Sequence, residues 1–446
     1  MTVAAVQERC RLIAIWSWGL MAFCLPFSTA LTLIFSAFGV LFGLVGFDWA
    51  SLKIVICHPI AILCVALFAW LALSMLWSIA PRDEMIEGIS KYRKLLYVPL
   101  VAMLLVSTRV KPWFLMNFFV AGCLVVCVGS LFSSSGLAGW VFGPHGGHGA
   151  GWFFGGTGQK AWFYLGPPEK PTFGRAHIAQ GAFLVFSVVY LFGNLFKKAI
   201  EPQETLIFIH NWKALLLCSV LVFVSLNLGG LTGYVLLVAG FFIWMGYLAK
   251  SVKPLFLLTV LSIMVVAGFV SWKMNPSVNY RIQKSYSDLG AFVETGALTS
   301  EGLRLRYWKA GLKMGVERPI IGWGVGSYAE RFSRDNTEPE VERLNRPHPH
   351  SELVLQLAQG GCISMALWIL IFWTAYRHTE KSQQPMGCAL AVVGMLVFIG
   401  GLFNSVVWDL AEGHFVSIIL SALTANCIVA FGRNSSNKSR DHELKL

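Results

Sequence analysis

The chain has 446 residues, of which 56% are hydrophobic and 13% are charged, and its formal net charge at pH 7 is +12. A soluble protein carries roughly 25% charged residues, so the composition excludes a soluble enzyme and predicts an all-α polytopic membrane protein. The positive charge does not indicate a nucleic-acid partner, because most of it lies in short loops between apolar runs.

Apolar runs of membrane-spanning length follow one another along most of the sequence. A helix needs about 20 such residues to cross a bilayer, and the pattern predicts about twelve spans. The run at 95–107 is short unless it extends back to about Lys91, and the run at 213–248 holds two spans only if the chain turns sharply at 228–231. The predicted spans are 12–26, 28–46, 55–79, 95–107, 113–134, 177–196, 213–229, 231–248, 254–271, 351–375, 386–408 and 414–431.

The ten cysteines lie almost all inside or beside these apolar runs. Cys123 and Cys127, one helical turn apart, are within a predicted span, and the polar segment 273–350 contains no cysteine. We therefore expect buried thiols rather than disulfide bonds that hold external loops.

Lysine and arginine residues are concentrated in the short loops on one side of the predicted spans. Positive residues in short loops mark the cytoplasmic face, so both termini are expected inside and the segments 80–94, 135–176 and 273–350 outside. The expected division of the chain is 1–272 for spans one to nine with the outer loop 135–176, 273–350 for a large outer loop, 351–431 for spans ten to twelve, and 432–446 for a cytoplasmic tail.

The large outer loop is predicted to contain amphipathic helices. Residues 300–314 have helical periodicity, with Ser300 as a possible N-cap and with Leu305, Trp308 and Leu312 on one face. Such a pattern is typical of a helix that lies along a membrane surface. The nearby basic residues form either a solvated surface or a site for an anion such as phosphate, which arginine binds well. They are Arg304, Arg306, Lys309, Lys313 and Arg318.

A glycine-rich stretch at 319–327 follows this predicted helix. It lacks the Lys-Ser/Thr ending and the flanking strand of a phosphate-binding loop. We therefore expect it to form a turn with a structural role.

Two histidines, His348 and His350, end the outer loop just after Arg346, on a proline-rich approach to the next apolar run. They are either polar residues at a helix start or groups that take part in chemistry. A metal site is not expected, because no carboxylate or cysteine accompanies them at a recognisable ligand spacing. A neutral imidazole at a membrane edge can accept a proton from a sugar hydroxyl, an effect worth roughly 10²–10⁴-fold.

Other basic residues also fall on the predicted outer side. Lys91, Arg93 and Lys94 precede the fourth span, and Arg175 ends the loop 135–176. The glycines of that loop alternate with aromatic residues, which is typical of a flexible interfacial loop and also permits stacking on sugars. All four residues are candidates for binding an anionic ligand.

Several of these motifs together resemble the O-antigen ligase and polymerase superfamily, and the resemblance covers most of the chain. The arginine-containing helix, the glycine-rich turn and the histidine before an apolar run occur in the order of that family. The matching segments are 77–81, 91–97, Arg304 with Trp308, 317–328, His350 with Ser351, and the run to Gly360 and Gly361.

The resemblance implies transfer of a glycan from undecaprenyl diphosphate to an acceptor at the periplasmic face of the bacterial inner membrane. In the ligase branch, the acceptor is lipid A-core oligosaccharide. His350 matches the family's general base, and Arg304 matches an arginine that holds the diphosphate. Further candidates for binding substrate are Arg306, Arg175, Lys91, Arg93, Lys94, Arg346, His348 and Trp308.

A glycosyl diphosphate already contains a good leaving group, so the reaction requires neither ATP nor another cofactor. The sequence has no Asp-x-Asp-like pair, and Asp409 and Glu412 are the only acids on the outer side of the late spans. Arginine can supply the positive charge, so we expect a metal-independent single displacement with inversion. One departure concerns Leu231, which stands where the family often has an arginine. Either the family arginine aligns with a different position, or another outward-facing arginine, Arg175 or Arg93, supplies this charge.

Three enzymes share this framework: the ligase, the O-antigen polymerase and the protein O-oligosaccharyltransferase. The last often carries an additional C-terminal region, whereas this sequence ends soon after its final predicted span, and the length and loop position favour the ligase. A lipid-linked glycan flippase or other transporter is an alternative of another class. Transporters usually place ionisable groups within the membrane, whereas the spans predicted here are nearly free of charge.

Overall fold

A computed structural model describes most of the chain. The described residues are 2–134, 177–197, 212–227, 230–248, 276–335, 348–382 and 385–443, together with Leu258, Ser262 and Lys273. The loop 135–176, the predicted ninth span at 254–271, and Arg346 fall mainly or wholly outside them.

In this part of the chain, every regular element is helical. The α-helices are α1 Val3–Cys24, α2 Thr29–Val45, α3 Trp49–Ile56, α4 Pro59–Leu73, α5 Arg82–Tyr92, α6 Tyr97–Ser107, α7 Phe114–Ser134, α8 His177–Lys197, α9 Trp212–Asn227, α10 Leu231–Leu248, α11 Pro276–Thr295, α12 Ser300–Glu317, α13 Ser327–Asp335, α14 Glu352–Ser382, α15 Pro385–Phe403 and α16 Leu410–Glu443. Two 3-10 turns, Ser74–Leu76 and Arg93–Leu96, connect α4 to α5 and α5 to α6.

Among these helices, five are long and apolar enough to cross a membrane. The pair α2 and α3, bent by 111°, makes a sixth if it forms one span. The five segments are Pro59–Leu76, Phe114–Leu131, Glu352–Arg377, Met386–Phe403 and Leu410–Ala430. The protein is thus an all-α polytopic membrane protein, as its composition predicts, and the number twelve stays a prediction.

The helix boundaries differ from the predicted spans at several points. The first helix begins at Val3 rather than at residue 12, because polar residues extend it before the apolar run. The run at 55–79 is interrupted at its start, since Pro59 begins a new helix after α3 ends. The run at 95–107 does extend back, through the turn Arg93–Leu96 and into α5. Separate helices α9 and α10 confirm that the run at 213–248 contains two elements.

The chain forms two compact units. The first comprises Met1–Gly19, Phe35–Leu115 and Leu298–Leu446, and the second comprises Leu20–Ile34 and Met116–Ala297. Of the three helices in the predicted outer loop, α11 lies in the second unit, whereas α12 and α13 lie in the first.

In the first unit, α14 packs against α4, α12 and α15, and α16 packs against α6. Large side chains such as Trp368 and Phe372 fill these contacts and are fully buried. Hydrogen bonds also join Tyr92 at the end of α5 to Glu352 at the start of α14, and Lys94 in the turn after α5 to Asp409 just before α16. The packing thus brings together the end of α5 and the starts of α6, α14 and α16, which carry polar residues.

In the second unit, α8 packs against both α9 and α10. A close approach at Gly181 and Gly233 allows this, since a Cβ atom at Gly233 would lie 3.3 Å from the Gly181 carbonyl carbon. The Trp244 indole donates a hydrogen bond to the Val189 carbonyl oxygen over 3.1 Å. These contacts give a helical core made mostly of apolar side chains.

All ten cysteines have free thiols, and seven of them are buried. The expectation of buried thiols is correct for these seven. It is wrong for Cys57 and Cys362, which are exposed, because each lies at a break in a helical segment.

Candidate active site

Helix α12 carries Arg304 and is held against α14 by small residues. A Cβ atom at Gly311 would meet the side chain of Val354, and one at Gly315 would meet Leu357. Glycine at these two positions therefore lets the backbones approach closely. The contact fixes where α12 presents its basic side chains relative to the start of α14.

One prediction for α12 is corrected by the structure. Its N-cap is Thr299, whose hydroxyl accepts a hydrogen bond from the Gly302 N–H over 3.2 Å, and not Ser300. The buried side of α12 carries Tyr307, Gly311 and Met314, whereas the predicted apolar face of Leu305, Trp308 and Leu312 is another side of the helix. Leu312 is 49% exposed, because the glycines turn a different side of the helix towards α14. The Trp308 ring lies beside that of Phe403 at a tilt of 40°, with 6.2 Å between the ring centroids.

The glycine-rich stretch after α12 forms a tight turn that is bonded to α14. The φ angles at Gly322, Gly324 and Gly326 are 65°, 90° and 82°, a region that disfavours side chains. The N–H groups of Trp323 and Gly324 donate to carbonyl oxygens of α14 over 2.9 and 2.8 Å. The prediction of a structural role is confirmed.

His348 and His350 lie side by side at the entrance to α14. Their ring centroids are 4.1 Å apart, and His348 Nδ1 lies 3.2 Å from Ser405 Oγ. His350 has a φ of 48°, which is uncommon for a residue other than glycine. This backbone turn places its ring 6.0 Å from that of Tyr307 on α12.

A buried carboxylate, Glu352, anchors the chain immediately after the histidines. It accepts hydrogen bonds from Tyr92 over 3.3 Å, from Gln356 over 2.8 Å and from the Val407 N–H over 2.9 Å. Its own N–H donates to the Asn404 carbonyl oxygen over 3.1 Å. The first turn of α14 is thereby tied both to α5 and to the loop between α15 and α16.

Lys94 is buried in the 3-10 turn before α6, and its ammonium group donates a hydrogen bond to the Asp409 carbonyl oxygen over 2.6 Å. Gly413 leaves room for it, since a Cβ atom there would collide with the lysine side chain. Burial lowers the pKa of Lys94 to about 7, although Asp409 opposes the shift. Burial likewise raises the pKa of Asp409, against the effects of His350 and Lys94. Lys94 and Asp409 thus form a buried polar link behind the histidines.

Burial lowers the pKa of both histidines to about 4. Lys91 adds to the shift at His348, while His348 and Arg304 add to the shift at His350. Asp409 and a hydrogen bond that His350 donates to the Asn404 side chain act in the opposite direction at His350. Both imidazoles are therefore neutral at pH 7, which is the form that accepts a proton.

Of the residues predicted to bind substrate, several converge here. Arg304 is 19% exposed, pairs with Glu301 over 3.4 Å, and acts electrostatically on His350. Lys91 pairs with Glu87 over 3.5 Å and lies 5.4 Å from the centre of the Trp408 ring.

The other predicted residues are placed differently. Arg93 is exposed and donates to the Ser90 carbonyl oxygen over 2.6 Å and to the Tyr97 hydroxyl over 3.3 Å. Arg306 lies on α12, half-buried. Arg175 and Arg346 are outside the described residues.

The sequence did not predict a role for Glu352, Asn404 or Trp408. It indicated Asp409 as an acid on the outer side, but not as part of the site. An acid directly before an apolar run is the one signal that could have pointed to Glu352 and Asp409. Asn404 and Trp408 give no such signal, because their partners lie on other elements of the fold: Glu352 for Asn404 and Lys91 for Trp408. In the described part of the chain, no group of three or more His, Cys, Asp or Glu residues is arranged as a metal site.

A cavity of about 200 Å³ opens beside His348. Its walls come from α5, the start of α13, α14 and the loop before α16. Polar and aromatic side chains line it, among them Glu84, Glu87, Lys91, Gln359 and Trp408. The site thus combines neutral imidazoles, a nearby arginine and a polar cavity large enough for part of a ligand.

A comparison with protein-family models matches residues 213–369 to the family described as O-Antigen ligase. A search of curated proteins gave no match. The matched segment contains α12 with Arg304, the glycine-rich turn, both histidines and the first half of α14. It supports a glycosyltransferase of the ligase or polymerase type, which acts on lipid-linked glycans in O-antigen and lipopolysaccharide biosynthesis. The match supports the O-antigen ligase superfamily for residues 213–369.

Proposed function

We propose that this protein is an O-antigen ligase, which transfers O-antigen polysaccharide from undecaprenyl diphosphate to lipid A-core oligosaccharide at the periplasmic face of the bacterial inner membrane. The observation that carries the proposal is the pair of neutral imidazoles, His348 and His350, beside Arg304. All three lie in the segment that matches the ligase family. The basic residues of the predicted cytoplasmic loops support the orientation.

In the proposed step, the oxygen of an acceptor hydroxyl attacks the anomeric carbon of the lipid-linked sugar. The bond from this carbon to the diphosphate oxygen breaks, and its electron pair leaves with undecaprenyl diphosphate. The hydroxyl proton passes to the imidazole of His350, which is neutral at pH 7 because burial lowers its pKa to about 4. A single displacement of this kind inverts the anomeric configuration.

The departing diphosphate needs nearby positive charge. Arg304 is the proposed source, since it lies close enough to affect the pKa of His350 and its guanidinium can bind phosphate with two parallel hydrogen bonds. Arg306 is proposed to add positive charge near the diphosphate, and Arg175 and Arg346 are proposed for this role from the sequence alone. Lys91, which lines the cavity beside His348, is proposed to bind substrate there. Charge from arginine supports a mechanism without a metal ion.

The proposal is tested with purified protein, lipid-linked O-antigen and lipid A-core, in buffer with EDTA. We expect the wild-type protein to ligate, and His350→Ala to lose roughly 10²–10⁴-fold in transfer rate, as is usual when a general base is removed. Lys309→Ala, an exposed position on α12, is the control that should retain full activity. Undiminished ligation by His350→Ala would remove this residue from the mechanism, and a loss confined to His348→Ala would move the base to the neighbouring ring. Loss of wild-type activity in EDTA would contradict metal independence.

The polymerase of the same superfamily is the second candidate, because the matched segment does not distinguish the two enzymes. Lipopolysaccharide from a deletion strain separates them. Loss of all long-chain material with lipid-linked glycan accumulating outside indicates the ligase, whereas a single attached repeat unit indicates the polymerase. Accumulation on the cytoplasmic side would indicate a flippase instead.

A further inference from the structure

The cavity beside His348 is lined by side chains that have no role in the proposed proton transfer. Its volume is about 200 Å³, and His348 forms part of its wall. The His348 ring in turn lies 4.1 Å from the His350 ring, measured between centroids. A group held in this cavity is therefore next to the imidazole pair.

Gln359 of α14 supplies a buried hydrogen-bond acceptor at the wall of the cavity. Its side chain is only 1% exposed and lines the cavity. Its amide oxygen has no hydrogen-bond partner among the described residues. A buried acceptor without a donor is unfavourable by about 1–3 kcal/mol. A ligand that brings a hydroxyl donor into the cavity would remove this cost.

The remaining walls indicate which kind of donor fits. Trp408 offers an aromatic surface, and the carboxyl groups of Glu84 and Glu87 offer further acceptors. Among the described residues of the cavity wall, the one cation, Lys91, already pairs with Glu87 over 3.5 Å, and two carboxylates face it, so the cavity disfavours the diphosphate of the donor. An aromatic wall with several acceptors suits the apolar C–H face and the outward hydroxyls of an uncharged sugar ring.

We propose that this cavity binds the acceptor sugar as an uncharged, hydroxyl-rich ring, with Gln359, Glu87 and Trp408 as its specificity-determining residues. The inference rests on the proposed transferase function and assigns opposite sides of the imidazole pair to the two substrates. The diphosphate lies towards Arg304, and the acceptor ring lies in the cavity on the side of His348.

The test measures KM for acceptor and for donor separately in the full-length protein. Gln359→Leu, Glu87→Gln and Trp408→Phe should each raise KM for the acceptor by about tenfold, the usual effect of losing one good polar or aromatic contact, with KM for the donor unchanged. Glu330→Gln is the matched control, because Glu330 also pairs with a basic residue four positions on, Arg334, but does not line the cavity. A change in donor KM alone, or no change in either constant, would overturn the inference.

A second measurement does not depend on turnover. Saturation-transfer NMR with the free core oligosaccharide and no donor should detect binding to wild-type protein and to Glu330→Gln, and about tenfold weaker binding to Gln359→Leu. Equal binding by Gln359→Leu, or preferential binding of a phosphorylated ring, would refute the subsite. If the wild-type protein binds the oligosaccharide in this way but performs no ligation, the subsite stands and the proposed ligase function fails.

Discussion

At the scale of single residues, the histidine pair is held by groups that are themselves buried and paired. Glu352 receives three hydrogen bonds, two of them from Tyr92 on α5 and from the backbone of Val407. A carboxylate with several donors fixes its neighbours firmly, because loss of one partner leaves a buried polar group unsatisfied. The orientation of His350 is thus set by residues that need not touch substrate.

Arg304 is the residue whose charge matters most in the proposed mechanism. We expect Arg304→Ala to lower the transfer rate by roughly 10²–10³-fold, and Arg304→Lys to recover only part of this loss, because lysine cannot bind a diphosphate with a planar fork. The measurement is the initial rate with purified substrates, alongside Lys309→Ala on the same helix. Full activity of Arg304→Ala would show that the diphosphate is stabilised elsewhere.

The pH dependence of transfer follows from the lowered pKa values of the histidines. Burial lowers the pKa of His348 and His350 to about 4, so the neutral base is present at pH 7 and is lost only as the pH falls through about 4. We expect the acid limb of the rate profile near this value rather than near 6.5, the ordinary value for histidine. The profile is measured at saturating substrate, and recovery of activity on return to pH 7 excludes unfolding. An acid limb near 6.5 would show that the base is solvated.

At the scale of elements, the contact between α12 and α14 determines where the arginine and the imidazoles meet. The two helices approach closely only because Gly311 and Gly315 lack side chains at the contact. The packed face therefore follows the small residues rather than the most apolar stripe. The face of Leu305, Trp308 and Leu312 is a different side of α12, and its contact with a membrane surface stays a prediction.

The glycine contact leads to a prediction for stability and activity together. A Cβ atom at Gly311 would collide with Val354, so Gly311→Ala should destabilise the protein by about 1–3 kcal/mol and reduce the transfer rate by displacing α12. The matched change Gly290→Ala on α11 has open space around it and should leave stability unchanged or slightly higher. Thermal unfolding in detergent and the transfer rate report the two effects. Equal behaviour of the two variants would contradict the close approach.

Local packing also determines how the chain enters α6. The 3-10 turn Arg93–Leu96 continues the chain back into α5 and directs Lys94 into the interior, where it reaches the Asp409 carbonyl oxygen. Arg93, its neighbour, is exposed. Two adjacent basic residues that look alike in the sequence therefore have different surroundings, because the tight turn points them to opposite sides.

At the scale of the whole molecule, the orientation in the membrane decides whether the site can meet its proposed substrates. We expect Lys309→Cys to react with a membrane-impermeant maleimide in intact spheroplasts, and Lys53→Cys to react only after permeabilisation. Both positions are exposed. Cys57 and Cys362, the exposed natural cysteines, are replaced by serine in the background used. The reverse labelling pattern would place the histidines on the cytoplasmic side and overturn the proposed function.

The sequence by itself determined the class of protein and most helix positions, because the hydropathy of a span is a local property. It also pointed to Arg304, His348 and His350 through motifs that lie close together in the chain. The glycine-rich turn was predicted correctly for the same reason, since backbone freedom depends on the residue itself.

Only the tertiary structure decided which distant groups complete the site. Tyr92 and Glu352 are 260 positions apart, and Lys94 and Asp409 are 315 apart, yet each pair is joined by a hydrogen bond. The hydrophobic periodicity of the sequence does not predict such pairs, because they depend on which helices pack together. Burial then sets the protonation of the histidines, and the cavity beside them exists only once α5 and α14 are assembled. Local patterns thus specify the elements, while desolvation and long-range packing give them their chemistry.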